Sequence, residues 1–295
     1  MAEDDLLYHY TSAQGLLGLL GAPAAPAKLW MTQIHYQNDA AEARHAYELT
    51  AYELRRLENR CPNLKRAAAG FYGVPAEGQQ WQAPSGFAVT RECTFSLSED
   101  GDLLSQWRGY AASGGYSVGY RFGEIANFAR HEGLRLSRCI YDEAEQRDLI
   151  ANELIAIEDA FVRGETEGAL PGVPDHDRAR ATASVRFQRL GHRLAPTFKH
   201  PSFAEEREWR LIGMIGVNDP RARYRTKDNI IVPYGEIDID PRSARYPLRP
   251  VEIIVGPGVD FELATQTIGY LTFNFSNPEQ QPKLIKSQST LRART

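Results

Sequence analysis

The strictest pattern in the sequence is a two-residue alternation over residues 87–98, FAVTRECTFSLS. In an extended chain Phe87, Val89, Cys93, Phe95 and Leu97 fall on one side, and Thr94, Ser96 and Ser98 on the other. Such a strand is buried on one face only. A register slip of one residue would turn a row of hydroxyls into the core. The chain therefore has to build a sheet whose apolar face is covered and whose second face, at this strand, carries small hydroxyls.

Other segments extend the same logic. LLYHYT at 6–11 reads as a strand, with Leu6, Tyr8 and Tyr10 on one face and Leu7, His9 and Thr11 on the other. Ser12 caps a short helix that Gly21 closes, and Leu29–Thr32 is a second strand. Asp39 with Glu42 three residues on resembles a capping box and starts a helix that runs to about Arg60. Residues 72–86 are a loop. After 87–98, Asp102 opens a helix to about Tyr110, and Tyr116, Val118, Tyr120 and Phe122 alternate as a strand. Helices are expected over 142–164 and 177–195, a strand over 205–217, and short strands at Asn229–Pro233, Val251–Val255 and Lys283–Ser287, with a helix from Asp260 to about Phe273. The stretches 218–228 and 235–248 read as polar loops. Strands mixed with helices and no clean linker give one α+β domain over residues 1–295, with a helical insertion near 142–200.

Composition bounds what such a domain does. Of 295 residues, 42% are hydrophobic and 24% charged, which excludes disordered, collagenous and coiled-coil chains. Formal net charge is -4, from 34 Lys+Arg against 38 Asp+Glu, so wholesale attraction to nucleic acid or a membrane surface is not expected. Cys61, Cys93 and Cys139 form no CxxC pair. With no secretory signal and no apolar run of membrane-spanning length, a cytoplasmic setting is the expectation.

Phosphate-loop, dinucleotide-binding, zinc-protease and nucleophile-elbow motifs are all missing from the sequence. Three separated blocks carry the residue types that do chemistry. In YHYTS, His9 alone reads as a core histidine bonded to a backbone carbonyl. In FSLSEDGDLLSQWRGY, Ser96 and Ser98 alone read as solvent-facing hydroxyls of an ordinary strand. In EEREWR, Glu206, Glu208 and Arg210 share one face of a strand. Alone, they read as a solvated charge run.

Taken in order, a histidine near the start, a middle strand of hydroxyls followed by an aromatic helix, and a late carboxylate at a strand entrance resemble the ADP-ribosyltransferase superfamily. The longer string LLYHYTS, LWMTQ, QND, FSLSEDGDLLSQWRGYA, EEREWRL and EIIVGP looks like a bacterial domain family of unassigned function. The resemblance implies a split β-sandwich of two mainly antiparallel sheets with helical insertions. It also implies NAD as co-substrate and cleavage of the nicotinamide–ribose bond. ADP-ribose would then pass to a macromolecular acceptor, protein or nucleic acid, or to water, as in bacterial toxins or antiphage effectors. His9 would bind the ribose hydroxyls, with Tyr10 and Thr11 beside it on the NAD-binding wall. Ser96 and Ser98 would line the nicotinamide pocket, Trp107 or Tyr110 would stack on its ring, Glu208 would be the catalytic glutamate and Glu206 its acidic companion. Tyr10 stands where many members place glycine, and Phe95 near where a tyrosine is usual.

The chemistry suits these groups. Breaking that bond builds positive charge on the ribose, and a fixed carboxylate in a dry pocket opposes it more strongly than one in water. Two other readings use overlapping residues. A metal-dependent hydrolase or nuclease would draw on His9, His200, Glu206 and Glu208, with Arg221, Arg223, Arg225 and Lys227 of the RARYRTK run on phosphates. A non-catalytic recognition module would present Trp107, Tyr110, Tyr116 and Tyr120 as a surface.

Overall fold

The computed structural model describes residues 1–22, 24–36, 41–64, 92–110, 114–167, 174–216, 218–227, 229–240, 244–273 and 281–289. The expected Asp39 cap, the loop at 72–86 and the first residues of the 87–98 alternation lie outside these. The chain forms two compact units, each built from non-contiguous stretches: residues 1–33, 93–138 and 204–295 make the first, and 34–92 with 139–203 the second. The helical stretch expected near 142–200 falls in the second unit.

The first unit carries strands β1 (Leu6–Thr11), β2 (Lys28–Gln33), β3 (Glu92–Ser98), β4 (Tyr116–Arg121), β5 (Arg135–Arg138), β6 (Glu208–Met214), β7 (Ala222–Lys227), β8 (Ile230–Asp238), β9 (Glu252–Val255) and β10 (Lys283–Lys286). Its helices are α1 (Ala13–Leu20), α3 (Leu104–Tyr110), α4 (Phe122–His131) and α7 (Phe261–Thr272). The second unit holds α2 (Ala41–Arg56), α5 (Glu143–Val162) and α6 (Asp175–Leu194).

All ten strands join one open sheet in the order β10-β9-β4-β1-β3-β2-β8-β7, with β6 joined to β3 and β5. The resemblance implied two sheets; β3 instead connects everything, because it pairs with β1, β2 and β6. It meets β1 at Tyr8↔Ser98 and β2 at Thr32↔Thr94 and Gln33↔Cys93, so two neighbours share its length. Both ladders are antiparallel, as are β1–β4, β2–β8, β4–β9, β5–β6 and β7–β8; β9 and β10 run parallel. The α+β class holds.

The alternation in β3 places Cys93, Phe95 and Leu97 in the main core, with Leu7, Leu29, Met31, Val118, Tyr120 and Leu211 from neighbouring strands and Leu16, Ile125 and Phe128 from helices. Ser12 caps α1 through the Gly15 N–H, and Gly21 ends it at φ 71°, a conformation only glycine takes freely. Asp142 and Asp260 cap α5 and α7 the same way, each worth about 1 kcal/mol.

The stretch expected as a loop at 218–228 contains β7, and the strand expected over Asn229–Pro233 runs on to Asp238. β7 and β8 pair as an antiparallel hairpin, with Lys227 opposite Ile230. Asn229, just before β8, has φ 63°, which asparagine tolerates. α4 and β5 lie where no element was expected.

In the second unit, α2, α5 and α6 bury Tyr47, Leu54, Ile150, Leu154, Phe187 and Leu190 together. The buried carboxylate of Glu53 is held between Arg56 and Arg147 at 2.6 and 2.7 Å. The Gln146 amide donates to the carbonyls of Ile140 and Lys199. No helix among the described residues is long and apolar enough to cross a membrane.

Candidate functional site

Three chain-distant blocks meet on β1, β3 and β6. On β1, the His9 ring stacks on Phe95 with centroids 4.0 Å apart and planes at 20°. Its Nδ1–H donates to the Ser96 carbonyl at 2.8 Å, which fixes the tautomer because a carbonyl only accepts. Burial pulls the imidazole pKa down to about 4, against a smaller opposite push from the Ser96 carbonyl. His9 is therefore neutral at physiological pH and bonded as a core histidine is. Thr11 turns toward α1: a methyl added at Gly15 would fall 2.0 Å from its hydroxyl oxygen.

The end of β3 is tied to the entrance of β6. Ser98 Oγ donates to the Glu206 carbonyl at 2.8 Å and accepts the Asp100 N–H at 3.1 Å. The Glu99 N–H donates to the Arg207 carbonyl, and the Arg207 guanidinium bonds Asp100 at 3.0 Å. Ser98 is buried and Ser96 only half-buried. Ser98 thus braces the acidic segment through its backbone.

Arg207 has φ 43°, a left-handed conformation costing a non-glycine residue about 1–2 kcal/mol. That break corrects the expectation that Glu206, Glu208 and Arg210 share one strand face. Glu206 ends a 3-10 turn, Pro201–Glu206, and only Glu208 and Arg210 alternate on β6. Glu208 and Arg210 are 4% and 1% exposed, and the guanidinium forks the carboxylate at 2.7 and 2.9 Å. The fork pairs the Glu208 carboxylate with a cation in a place shielded from water. Arg210 has the clearest role that the sequence reading left unassigned; its i, i+2 spacing from Glu208 was the available signal.

Strand alternation separates these groups. Tyr8 pairs with Ser98, so Tyr8, Tyr10, Ser96 and Ser98 share a face. Trp209 packs on the main core and Leu211 belongs to it, so Glu208 and Arg210 point the other way, to the side of the β3 hydroxyls. His9 lies on the core side with Phe95. The expectation that imidazole and acid surround one sugar is corrected accordingly: they lie on two strands separated by β3 and point to opposite faces.

The aromatic candidates divide. Trp107 is fully buried; its Nε1–H donates to Asp102 at 2.7 Å, and Tyr10 meets it edge-on at 4.8 Å. The Tyr10 hydroxyl donates to the Asp100 carbonyl at 2.9 Å and accepts the Leu103 N–H at 2.7 Å, and burial drives its pKa well above the usual phenol value. Neither ring has a face left for nicotinamide, because both are packed in a core cluster with Ile254. Asp102, expected as a helix cap, instead gathers the Trp107 indole, the Ser287 hydroxyl and the Gln288 N–H. Burial pushes its carboxyl up, but these bonds more than offset that and hold it below the usual range. Tyr110, on the last turn of α3, is 41% exposed and is the one ring of that block open to a ligand. Tyr120 is fully buried and Tyr116 half-buried, so the four aromatics expected to form a recognition surface do not share one.

Among the described residues no group of three or more His, Cys, Asp and Glu side chains is placed to hold a metal ion, so the metal-dependent reading has no donor set there.

A family model described as "Protein of unknown function (DUF2971)" matches residues 106–211, a span from Gln106 on α3 to Leu211 on β6. It takes in Trp107, Tyr110, Glu206, Glu208 and Arg210 and leaves out His9, Ser96 and Ser98. No curated protein matches the chain. No solved structure matches it.

Proposed function

We propose that this chain is an NAD-consuming enzyme of the ADP-ribosyltransferase type, cleaving the nicotinamide–ribose bond and passing ADP-ribose to a macromolecule or to water. One observation carries the reading: the histidine, hydroxyl and carboxylate blocks, dispersed over some two thirds of the sequence, lie on β1, β3 and β6, two strands that both pair with the third. A split sandwich would grow from such a branch.

The reading gives each group a role. Glu208 is the catalytic carboxylate, opposing positive charge at the ribose carbon as the nicotinamide leaves with the bonding pair. Arg210 keeps it ionised and aimed. A nucleophile then forms the new bond to that carbon and gives up its proton, for which the Glu206 carboxylate stands two residues away. Ser96 and Ser98 line the same side of the sheet. Tyr110 replaces Trp107 as the ring able to cover nicotinamide. His9 is a positioning residue: it holds the Ser96 peptide from the opposite face.

Incubation of the purified protein with radiolabelled NAD, with and without cell lysate, tests the proposal. Nicotinamide release by the wild type, reduced by a factor of about 100–1,000 in Glu208→Gln, is expected. Absence of release under both conditions, or undiminished release by Glu208→Gln, overturns it.

A further inference from the structure

The basic run at the sheet's outer edge acquires a meaning in the fold that it lacks in the sequence. On the face shared by β2, β8 and β7, register sets Thr32 beside Tyr234 and Tyr234 beside Arg223, with Arg225 opposite Val232. Trp30, Arg225 and Lys227 occupy alternate positions on that same face. The Arg225 guanidinium lies over two rings at once, 5.8 Å from the Trp30 centroid and 5.7 Å from that of Tyr234, and donates to the Thr32 hydroxyl at 3.1 Å.

The charges on this face are unequally paired. Lys28 is 3.6 Å from Asp238 and Arg223 is 3.8 Å from Glu236, so both carboxylates of the face have basic neighbours. Among the described residues no carboxylate pairs with Arg225. Moreover, its Nε and the Trp30 Nε1 are both shut from solvent with no hydrogen-bond acceptor among the described residues. A buried donor left unpaired costs about 1–3 kcal/mol, so one cluster holding two such donors is poised to give them up to a ligand.

We infer that this face binds single-stranded nucleic acid, with Arg225 moving off the rings onto a phosphate and a base stacking on the Trp30–Tyr234 platform it uncovers. The movement gives the Arg225 Nε an acceptor and exposes the indole N–H to a base edge or phosphate. Arg223, Arg225 and Lys227 recur every two residues, about 6.7 Å along a strand, a repeat comparable to that of successive phosphates in an extended single strand. β7 is the last strand of the sheet among the described residues, so no described strand pairs with its outer edge. Aromatic rings set among cations on an open sheet favour a single strand, whose bases are free to stack, over a duplex or an acidic peptide. The inference stands independently of NAD cleavage.

Fluorescence anisotropy with a labelled oligothymidylate of about 16 nucleotides tests it. Expected are saturable binding that weakens as salt rises, an affinity loss of about tenfold or more in Arg225→Ala and in Trp30→Ala, and an intermediate loss in Arg225→Lys. Tryptophan fluorescence should fall on binding, and that quenching should vanish in Trp30→Phe. Absence of binding at low salt, full affinity in both alanine variants, or equal competition by a duplex or by polyglutamate overturns the inference. Unchanged circular dichroism of the variants separates lost contacts from lost fold.

Discussion

Two tryptophans of the first unit show how differently one side chain is used. Trp107 is fully enclosed, its N–H satisfied by Asp102 and its ring pressed so closely on Gly256 that an added Cβ there would sit 2.7 Å from the indole. Asp102 in turn ties the residues after β10 to α3, so that indole anchors the two ends of a local network. Trp30 is half-buried under Arg225, and neither its N–H nor the Arg225 Nε has an acceptor among the described residues. Trp107 is packed and satisfied, whereas Trp30 and Arg225 carry unsatisfied donors at a sheet edge rich in cations, the feature on which the proposed ligand face rests. The hydroxyl-and-acid cluster between β3 and β6 lies between these extremes, because its charge is paired but its hydroxyls line one face.

The widest gap between the two tryptophans is expected in stability. Trp107→Ala removes a fully buried ring and one of the donors that hold the Asp102 carboxylate, so a loss of about 4–5 kcal/mol is expected from urea unfolding. Trp30→Ala should cost about 1 kcal/mol or less, because the ring is part-exposed and its orphan donor disappears with it. Equal losses would erase the distinction between a structural and a ligand-directed indole.

A smaller effect separates paired from unpaired charge. Arg210→Met leaves Glu208 buried without its fork and should cost about 3 kcal/mol, whereas the double variant Glu208→Gln, Arg210→Met should recover most of that loss. The double-mutant cycle in urea measures the coupling directly. Additive losses would mean that the pair is not a unit, and would remove the argument that Arg210 exists to keep Glu208 ionised.

What was legible in the sequence was what local periodicity controls. Cys93 to Ser98 and Tyr116 to Arg121 announce strands because each alternates apolar and polar positions, and Ser12 and Asp260 announce helix starts because capping is local. β7 was missed because this edge strand alternates charged residues with Ala222, Tyr224 and Thr226 and offers no apolar face, so RARYRTK reads as a loop on hydrophobicity alone. The break at Arg207 depends on Ser98 and Asp100 more than a hundred positions away, so no local signal announces it. Trp107 invited a stacking role from its place in an aromatic helix. Its partner Asp102 is near in sequence, but the carboxylate's other partners sit at 287 and 288. The order of the three blocks was readable and brought them to neighbouring strands; which face each side chain takes followed only from the register.

His9 sharpens the comparison from a third direction, with one ring nitrogen satisfied and the pair of protonation states far from balanced. Its pKa falls from 6.5 to about 4, chiefly through burial, so the folded state holds the neutral ring and the unfolded state takes up a proton at higher pH. Between those two values the unfolded chain binds more protons, and stability rises with pH there. The contribution is complete above about pH 6.5 and is lost as pH falls toward 4. It amounts to about 2 kcal/mol once the part of the ring that reaches solvent is allowed for. His9→Phe keeps the stack on Phe95 and removes the titration, so the difference between its stability and that of the wild type should shrink steadily as the pH of the urea series is lowered. A difference that stays constant across that range would place a proton on the imidazole in the folded chain. His9 would then belong with Arg225, as a group whose charge faces a ligand, and not with Trp107.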